Sequence, residues 1–401
     1  MKRLRGCLWL AVWLLIFLLL GAFILWVAVP ELPSILRSLV GGQANFSAAM
    51  SETGAASLQL PPGFEANVFA QGLNGPRFIA FGPDGALYVA DRGSNRIVTL
   101  SDSNGDGTAD QTRVFADGLN RPHSLVYHEG AWYVGVPSGI VRLEDTDGDG
   151  AADVRSTPLD DLPTSGSHST RTVEFLPDGR MVLSVGSSCN VCEESDPRRA
   201  AILAYDGPEA TGERVFANGL RNAVGLAIHP DSGELWATNN GRDLMGDDMP
   251  PDAVYIIREG IDFGWPRCHA GGVPDPQYGG PDACDGVVQP VTPIQAHSAP
   301  LGLAFYTGSS FPADYWGDLF IAYHGSWNRS VPTGYKVVRL PLDGSEPVGP
   351  IQDFVSGWLD EAAGKASGRP VGLAVGPEGA LYVSDDKGGF IYRIGYEGSG
   401  R

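Results

Sequence analysis

Six copies of one sequence pattern predict an all-β fold, a six-bladed β-propeller. Each copy has a short apolar strand, a turn rich in Gly, Pro and Asp, and a second apolar strand. A hairpin of this kind cannot bury its own faces, whereas hairpins repeated around an axis cover one another. The first four copies are 46 to 53 residues apart, and the last two carry insertions. The innermost strands of the copies end at Phe81, Tyr127, Phe175, Ile228, Phe305 and Val375.

The segment before the first copy has the pattern of an outer strand, although no earlier blade precedes it. It runs from Phe64 to Phe69 and alternates apolar with polar residues. We expect it to pair with the last blade, because a ring closed in this way leaves no long exposed strand edge.

The composition agrees with many short strands and argues against nucleic acid as a partner. The 401 residues include 54 Gly and 30 Pro, spread through positions that favour turns. The formal charge of −19 repels a polyanion. Any site for an anionic ligand must therefore be a local basic pocket in an acidic surface.

An apolar segment near the N-terminus predicts a single transmembrane helix, a signal-anchor within residues 1–30. The uncharged run Leu8–Val29 would span about 33 Å as a helix, against about 30 Å for the hydrocarbon core. A cleaved signal peptide is the alternative, although its apolar region usually has only about 7–15 residues. The basic residues before the run predict a cytoplasmic N-terminus and an extracytoplasmic domain, periplasmic or extracellular. Residues 31–60 are expected to be a flexible linker, and residues 61–397 the propeller.

Four cysteines in an exported domain suggest two disulfides. The simplest pairing joins Cys189 to Cys192 and Cys268 to Cys284. The Cys-Asn-Val-Cys spacing of the first pair is also that of a redox motif, but no thioredoxin-like βαβ pattern surrounds it.

Two acidic loops are candidate calcium sites. Oxygen ligands at alternate positions around a turn-forming Gly suit Ca²⁺. Both loops lack the bidentate Glu of an EF-hand, so a polar hairpin without an ion is the alternative. The candidate ligands are Asp102, Asn104, Asp106 and Asp110 in one loop, and Asp145, Asp147, Asp149 and Asp153 in the other.

Histidines and arginines recur just before the innermost strands. In a propeller these loops converge on one mouth of the central channel, so residues far apart in sequence meet in one pocket. Arg binds carboxylates in a bidentate fork, and His can act as a general base near neutral pH. The pattern therefore predicts a pocket for a ligand with several carboxylates. Its members are Arg77, His123, His168, Arg221 with Asn222, His297 and Arg369.

Two further segments are predicted to lie at the same mouth. Residues 239–248 follow the second strand of blade 4, and their carbonyl and carboxylate oxygens suit Ca²⁺. Residues 322–329 follow the second strand of blade 5 and include His324. A long surface loop is the alternative for each.

From about Leu60 to Ile394 the chain resembles the glucose/sorbosone dehydrogenase family, and its sorbosone dehydrogenase-like branch in particular. These are soluble quinoproteins that oxidise sugars with pyrroloquinoline quinone (PQQ). The order of the matching motifs is more specific than any one of them. The motifs are Ser167-His168, Gly219-Leu-Arg-Asn222, Asn240-Gly241, Gly264-Trp-Pro266, His324-Gly-Ser-Trp-Asn-Arg329 and Arg369-Pro-Val-Gly-Leu-Ala374.

The resemblance implies a role for each matching residue. His168 would take the hydroxyl proton of the sugar while a hydride passes to the quinone. Arg221, Asn222 and Arg369 would hold PQQ. The backbone carbonyls of Gly241 and Arg242 would bind Ca²⁺, although the family has Gly-Pro where this chain has Gly-Arg. The residues expected to line the cofactor or substrate are His123, His297 and His324.

These observations lead to one prediction of function and two alternatives. The prediction is a membrane-tethered, extracytoplasmic PQQ-dependent oxidoreductase that oxidises an aldose or sugar aldehyde, with a respiratory quinone or cytochrome as electron acceptor. The first alternative is a non-catalytic binding propeller. The second is a calcium-dependent sugar lactonase, which the His and Arg residues at the channel positions disfavour.

Overall fold

The computed structural model describes residues 57–398, which form a six-bladed β-propeller. The fold class predicted from the repeats is confirmed for this part of the chain. The predicted transmembrane helix and most of the predicted linker lie outside the described residues. Between residues 57 and 398, no helix combines the length and the apolar character needed to cross a membrane.

Each blade is built on four antiparallel strands, and strand order follows the chain from the axis outwards in blades 1 to 5. Blade 1 contains Pro76–Phe81, Leu87–Asp91, Arg96–Ser101 and Gln111–Ala116; blade 2 contains Ser124–His128, Ala131–Val136, Gly139–Glu144 and Val154–Leu159; blade 3 contains Val173–Phe175, Met181–Val185, Ala201–Tyr205 and Arg214–Asn218, with Ile261–Asp262 added in parallel. Blade 4 contains Ala223–Ile228, Leu235–Asn239, Asp252–Ile257 and Thr292–Ile294; blade 5 contains Pro300–Phe305, Leu319–Tyr323, Lys336–Leu340 and Gln352–Val355; blade 6 contains Pro370–Val375, Leu381–Asp385, Phe390–Tyr396 and Phe64–Ala70.

Short elements decorate the connections between the long strands. Three two-stranded ribbons and two 3-10 turns are found within residues 57–398: Cys268–His269 with Val273–Pro274, Leu342–Asp343 with Glu346–Pro347, Leu359–Asp360 with Lys365–Ala366, and the turns Arg92–Ser94 and Ala313–Tyr315.

The first described strand closes the ring, as the sequence predicts. Phe64–Ala70 pairs antiparallel with Phe390–Tyr396 and becomes the outer strand of blade 6. Upstream of it, Gln59 forms a β-bridge with Ser356. The packed part of the chain therefore includes the last residues of the segment predicted as linker.

Buried hydroxyl groups join neighbouring blades near the axis. The Ser124 hydroxyl donates to the carbonyl of Arg171 (3.0 Å), and Thr238 donates to the carbonyl of Leu301 (2.8 Å). The Ser384 hydroxyl donates to the carbonyl of Arg77 (2.5 Å) and so joins blade 6 to blade 1. These bonds satisfy carbonyls at the start of the innermost strands and fix the register between blades.

An apolar cluster lies at the start of the innermost strands, just inside the mouth. Val224, Leu301 and Val371 are buried against one another and against Phe78. Beyond this cluster, towards the other end of the ring, lies a cavity of about 280 Å³ lined by residues of the innermost strands. Glu174 faces this cavity, and burial raises its pKa to about 8.

We predict that Phe64→Ala lowers the free energy of unfolding by about 3–5 kcal/mol, the usual cost of deleting a buried aromatic ring. Phe64 packs at 4.8 to 5.1 Å between ring centroids against four aromatic rings, three in blade 5 and one in blade 6. Urea unfolding of the full chain measures the loss.

Val348→Ala is the matched control, because that side chain is 63% exposed and surface changes usually cost less than about 0.5 kcal/mol. A loss below about 1 kcal/mol for Phe64→Ala would mean that the closing strand contributes little to the ring.

Candidate functional site

One pocket at the mouth brings together five of the residues singled out in the sequence. They come from the loops of blades 3, 4 and 5 and enclose about 140 Å³. Of the other lining residues, Trp327 is 56% exposed at the rim, whereas Asp252 and Asn328 are buried. The five predicted residues are His168, Arg221, Asn222, Gly241 and His297.

His168 is held in one tautomer. Its Nδ1 lies 2.9 Å from the carbonyl oxygen of Ser187 and 3.0 Å from the Ser187 hydroxyl. Because a carbonyl can only accept, Nδ1 carries the proton and Nε2 keeps a lone pair. Within residues 57–398, Nε2 has no hydrogen-bond partner. Burial, together with the charge of Arg221, lowers the pKa of His168 to about 3, so the ring is neutral at pH 7.

Gly186 allows two site residues to approach each other. A Cβ atom at this position would lie 2.6 Å from the Asn222 amide oxygen and 2.6 Å from the His168 Cβ. Real Cβ atoms essentially never make contacts this short, so any larger residue here would displace His168, Asn222 or both.

Arg221 is buried and held by partners on two loops. Its Nη2 donates to a carboxylate oxygen of Asp243 (2.7 Å) and to the Asn190 side-chain oxygen (3.0 Å), and its Nε donates to the Asn190 carbonyl (2.9 Å). The other carboxylate oxygen of Asp243 accepts from Asn328 (3.1 Å). Although burial lowers the pKa of Arg221, guanidinium groups stay charged at neutral pH.

Asp252 holds the candidate metal loop in place. One of its carboxylate oxygens accepts from the Gly241 amide (2.7 Å) and the other from the Ala299 amide (2.9 Å). Burial raises the pKa of Asp252 to about 7, against the opposing effect of these two amides. The carbonyls of Gly241 and Arg242 accept no hydrogen bond from the described part of the chain, which leaves two oxygens for an external ligand.

The Arg242 side chain is tied to an inserted segment. It forms an ion pair with Asp275, whose carboxylate also lies 2.8 Å from the Nε2 atom of His269. Burial alone would raise the pKa of Asp275, but hydrogen bonds from His269 and Arg242 lower it. His269 lies outside the repeat positions that the sequence pattern singles out, and it is buried at 5% exposure.

The remaining predicted residues form a second cluster around Asp386, outside the lining of the first pocket. His324 Nε2 lies 3.0 Å from the Asp386 carboxylate, and Arg77 pairs with the same group at 2.6 Å. Arg77 also donates to Nδ1 of His123 (3.2 Å), whose buried Nε2 has no hydrogen-bond partner among residues 57–398. Arg369 donates to the carbonyl of His324 (2.9 Å).

The charges of the second cluster are set by burial and by Asp386. Burial lowers the pKa of His324 to about 4, against the opposing effect of the carboxylate. Burial disfavours the ionised form of Asp386, but His324 and Arg77 hold its pKa below the ordinary range. The backbone amide of His324 bonds to the carbonyl of Ala299, which lines the first pocket. The two clusters are therefore neighbours at one mouth.

The two acidic loops lie at the other end of the ring, where the third strand turns into the fourth in blades 1 and 2. Asp145, Asp147 and Asp149 bring carboxylate oxygens within 4.8 Å of one another. Many of the carboxylate oxygens in each loop already accept hydrogen bonds from the loop itself. For example, Asp102 accepts from the backbone amides of Gly105 and Gly107. Calcium binding here stays a prediction.

Both disulfides predicted from the sequence are formed, Cys189–Cys192 and Cys268–Cys284. The first closes the loop that carries Asn190, and the second closes the insert that carries Asp275. Each disulfide therefore braces a residue that contacts the loop around Gly241.

Sequence reasoning missed Asn190 and Asp386 as site residues, and it included Asp243 only as part of the segment 239–248. The Cys-Asn-Val-Cys spacing drew attention to the two sulfurs, although Asn190 between them makes the contacts. Asp386 directly follows the second strand of blade 6, at the repeat position of His324 in blade 5. A comparison of these equivalent loop positions would have found it.

A model of the family described as a domain of unknown function, DUF7133, matches residues 50–326. The chain belongs to the DUF7133 family. A second model, described as TrAA12-like, matches residues 278–397 of this DUF7133 chain.

Related sequences agree with the resemblance found in the motifs. An uncharacterised protein of Borreliella burgdorferi is 29% identical over 358 residues, covering 85% of this chain and 91% of that protein. A PQQ-dependent pyranose dehydrogenase of Coprinopsis cinerea is 27% identical over 400 residues, covering 83% of this chain. The match covers 54% of that enzyme, so the chain spans about half of its length. The predicted relationship to the quinoprotein sugar dehydrogenases is confirmed.

Solved structures share the fold. The PQQ domain of the Coprinopsis cinerea enzyme, in its holo form, superposes with a TM-score of 0.72 at 24% identity, covering 84% of this chain and 97% of that one. A calcium structure of a Trichoderma reesei protein of carbohydrate-active family AA12 gives a TM-score of 0.72 at 22% identity, with the same coverage. The DUF7133 chain therefore has the propeller fold of these proteins.

We predict that His168 remains neutral from pH 8 down to about pH 5. Its pKa of about 3 in the folded chain lies below the ordinary value of about 6.5. As the pH falls, the unfolded chain therefore takes up a proton at His168 before the folded chain does, and this destabilises the fold. NMR titration of the imidazole carbons, assigned by their loss in His168→Gln, measures the pKa. A midpoint between pH 5.5 and 7 would contradict the burial argument.

We further predict that Gly186→Ala shifts the His168 imidazole signals and destabilises the fold by about 1–3 kcal/mol, the usual cost of overpacking. Gly280→Ala is the matched control, because a Cβ there meets nothing within 4 Å. If the two variants gave the same spectrum as the parent chain, the close approach at Gly186 would be refuted.

Proposed function

We propose that the chain is a PQQ-dependent oxidoreductase that oxidises an aldose or a sugar aldehyde outside the cytoplasm. The observation that carries the proposal is the pocket itself, where neutral His168 with a free Nε2 lies beside Arg221, Asn222 and Gly241. The names of the Coprinopsis relatives support the cofactor and the substrate class.

The groups left without partners at the mouth fit PQQ and Ca²⁺. PQQ carries three carboxylates, and Nη1 of Arg369 makes no hydrogen bond within residues 57–398. The buried Nε2 of His123 and the side-chain oxygen of Asn328 are also without partners there. Buried polar groups are normally paired, so these unpaired groups are suited to receive a ligand. Residues proposed to hold PQQ are Arg221, Asn222, Arg369, His123, His297 and His324.

The carbonyls of Gly241 and Arg242 would bind the Ca²⁺ ion, since hard oxygen donors suit this metal. The calcium structure of the AA12 neighbour supports this part of the proposal. When bound, PQQ supplies a two-electron acceptor and Ca²⁺ a Lewis acid, chemistry that no side chain can provide.

His168 is the proposed general base. The Ser187 carbonyl fixes its Nδ1 proton, so Nε2 faces the pocket as an acceptor for the hydroxyl proton of the sugar. The positive charge of Arg221 helps to lower the pKa of His168. An anionic ligand bound to Arg221 would oppose that effect and make His168 a stronger base.

Trp327 is the proposed wall for the substrate. Its indole is exposed at the pocket rim, and aromatic faces make good contacts with the C–H face of a sugar ring. A sugar resting on Trp327 would be near His168 on the open side of the pocket.

The proposed setting is extracytoplasmic, with a membrane anchor within residues 1–30. An anchored enzyme would remain close to respiratory quinones or cytochromes, which we propose as the electron acceptors. The net charge of −19 disfavours binding to nucleic acid. Attraction of an anionic cofactor would therefore depend on the arginines at the mouth.

The first experiment mixes the full chain with PQQ and Ca²⁺ and follows dye reduction with a panel of aldoses and sugar aldehydes. Reduction that needs both additives is expected. PQQ binding without turnover on any sugar would favour a binding propeller, and no binding of PQQ would overturn the proposal.

We predict that His168→Gln lowers kcat by a factor of about 10²–10⁴, the usual contribution of a general base. PQQ affinity should change less than threefold, because the amide keeps a polar group at the same place. His128→Gln is the matched control, since that ring stacks on Phe175, away from the pocket. Equal turnover for both variants would remove His168 from the role of base.

A further inference from the structure

The loop closed by the Cys189–Cys192 disulfide contacts both sides of the pocket. On one side, the Cys189 carbonyl accepts from the Ser187 hydroxyl (2.7 Å), and Ser187 in turn binds His168. On the other side, Asn190 reaches Arg221 and Asp243, as described above. The disulfide spans only three positions of sequence, so it confines the backbone on both sides of Asn190.

Asn190 uses both the oxygen and the nitrogen of its side-chain amide to bind residues of the neighbouring loops. Its side-chain oxygen accepts from the Asp243 amide (2.8 Å) and from Nη2 of Arg221 (3.0 Å). Its side-chain nitrogen donates to the Asp243 carbonyl (2.9 Å). The side chain therefore pairs with the backbone of Asp243 in both directions, as a neighbouring strand would.

Only a short amide side chain can make this set of contacts. An aspartate would lose the donor and place a second carboxylate beside Asp243, whereas an alanine would lose both functions. Asp243 holds Arg221 through an ion pair and is two residues from Gly241. A displacement of Asn190 would therefore shift both the Arg221 guanidinium and the candidate metal loop.

We propose that Asn190 is a positioning residue of the pocket, which sets the place of Arg221 and of the loop around Asp243, and that the Cys189–Cys192 disulfide holds Asn190 there. This inference rests on the proposed function where it concerns cofactor affinity. The positioning itself is a property of the free protein and can be measured without any cofactor.

The experiment compares Asn190→Ala, Asn190→Asp and the double variant Cys189→Ser/Cys192→Ser with the parent chain. Asn218→Ala is the matched control, because that asparagine is exposed on the fourth strand of blade 3. Within residues 57–398 its side chain makes only a 3.4 Å hydrogen bond, to Asp262. In the free protein, amide hydrogen exchange at Asp243 is measured by NMR. In the presence of Ca²⁺, PQQ affinity, kcat and the KM for sugar are measured.

We expect exchange at Asp243 to rise at least tenfold in Asn190→Ala and in the cysteine double variant, while the thermal midpoint changes by only a few degrees. PQQ affinity should fall at least tenfold, most in Asn190→Asp, with the KM for sugar at saturating PQQ changed less than twofold. Asn190→Ala should add little to Arg221→Ala, since the two side chains act through one contact.

The outcomes separate the two proposals. If the parent chain does not bind PQQ, the proposed function fails, and hydrogen exchange at Asp243 still decides whether Asn190 positions the loop. Unchanged exchange in Asn190→Ala would overturn the role of Asn190. Unchanged hydrogen exchange in the cysteine variant alone would mean that the disulfide does not hold Asn190 in place. If the losses of PQQ affinity in Asn190→Ala and Arg221→Ala were fully additive in the double variant, the shared contact would be refuted.

Discussion

Closure of the ring by the first described strand is the constraint on which the other contacts depend. A single blade has two apolar faces, and only a closed ring covers both faces of every blade. Because Phe64–Ala70 completes blade 6, blade 1 lies beside blade 6 although they are at opposite ends of the chain. This brings Arg77 to Asp386, 309 positions away. The cluster that holds His123 and His324 therefore depends on closure.

The loop from Asn240 to Asp243 shows how a propeller gives an irregular segment one conformation. Partners from several directions hold it: Asp252 on the amide of Gly241, Asn190 and Arg221 on Asp243, and Asp275 on the side chain of Arg242. Each neighbour is fixed in a blade or a disulfide-closed loop. A loop held from several sides can leave carbonyls unpaired without collapsing onto them, which is the condition for a preformed binding site.

The architecture was predictable because each blade repeats the same hydrophobic pattern in the sequence. The six innermost strands, the closing strand and both disulfides follow from pattern and spacing, and so does the convergence of His168, Arg221, Asn222, Gly241 and His297. The spacing does not give the direction of a side chain. Asp386 draws His324 and Arg77 into a separate cluster, and neither Asn190 nor Asp243 belongs to any periodic element. Their roles depend on loop conformations that only the folded chain defines.

The apolar cluster of Val224, Leu301, Val371 and Phe78 lies between the mouth and the other end of the ring. A polar molecule such as a sugar would meet this apolar layer along the axis, so the mouth is the favoured route both in and out. On the proposed function, the oxidised product would have to depart before an electron acceptor could approach the same opening. A shared opening of this kind would favour a ping-pong order of the two half-reactions.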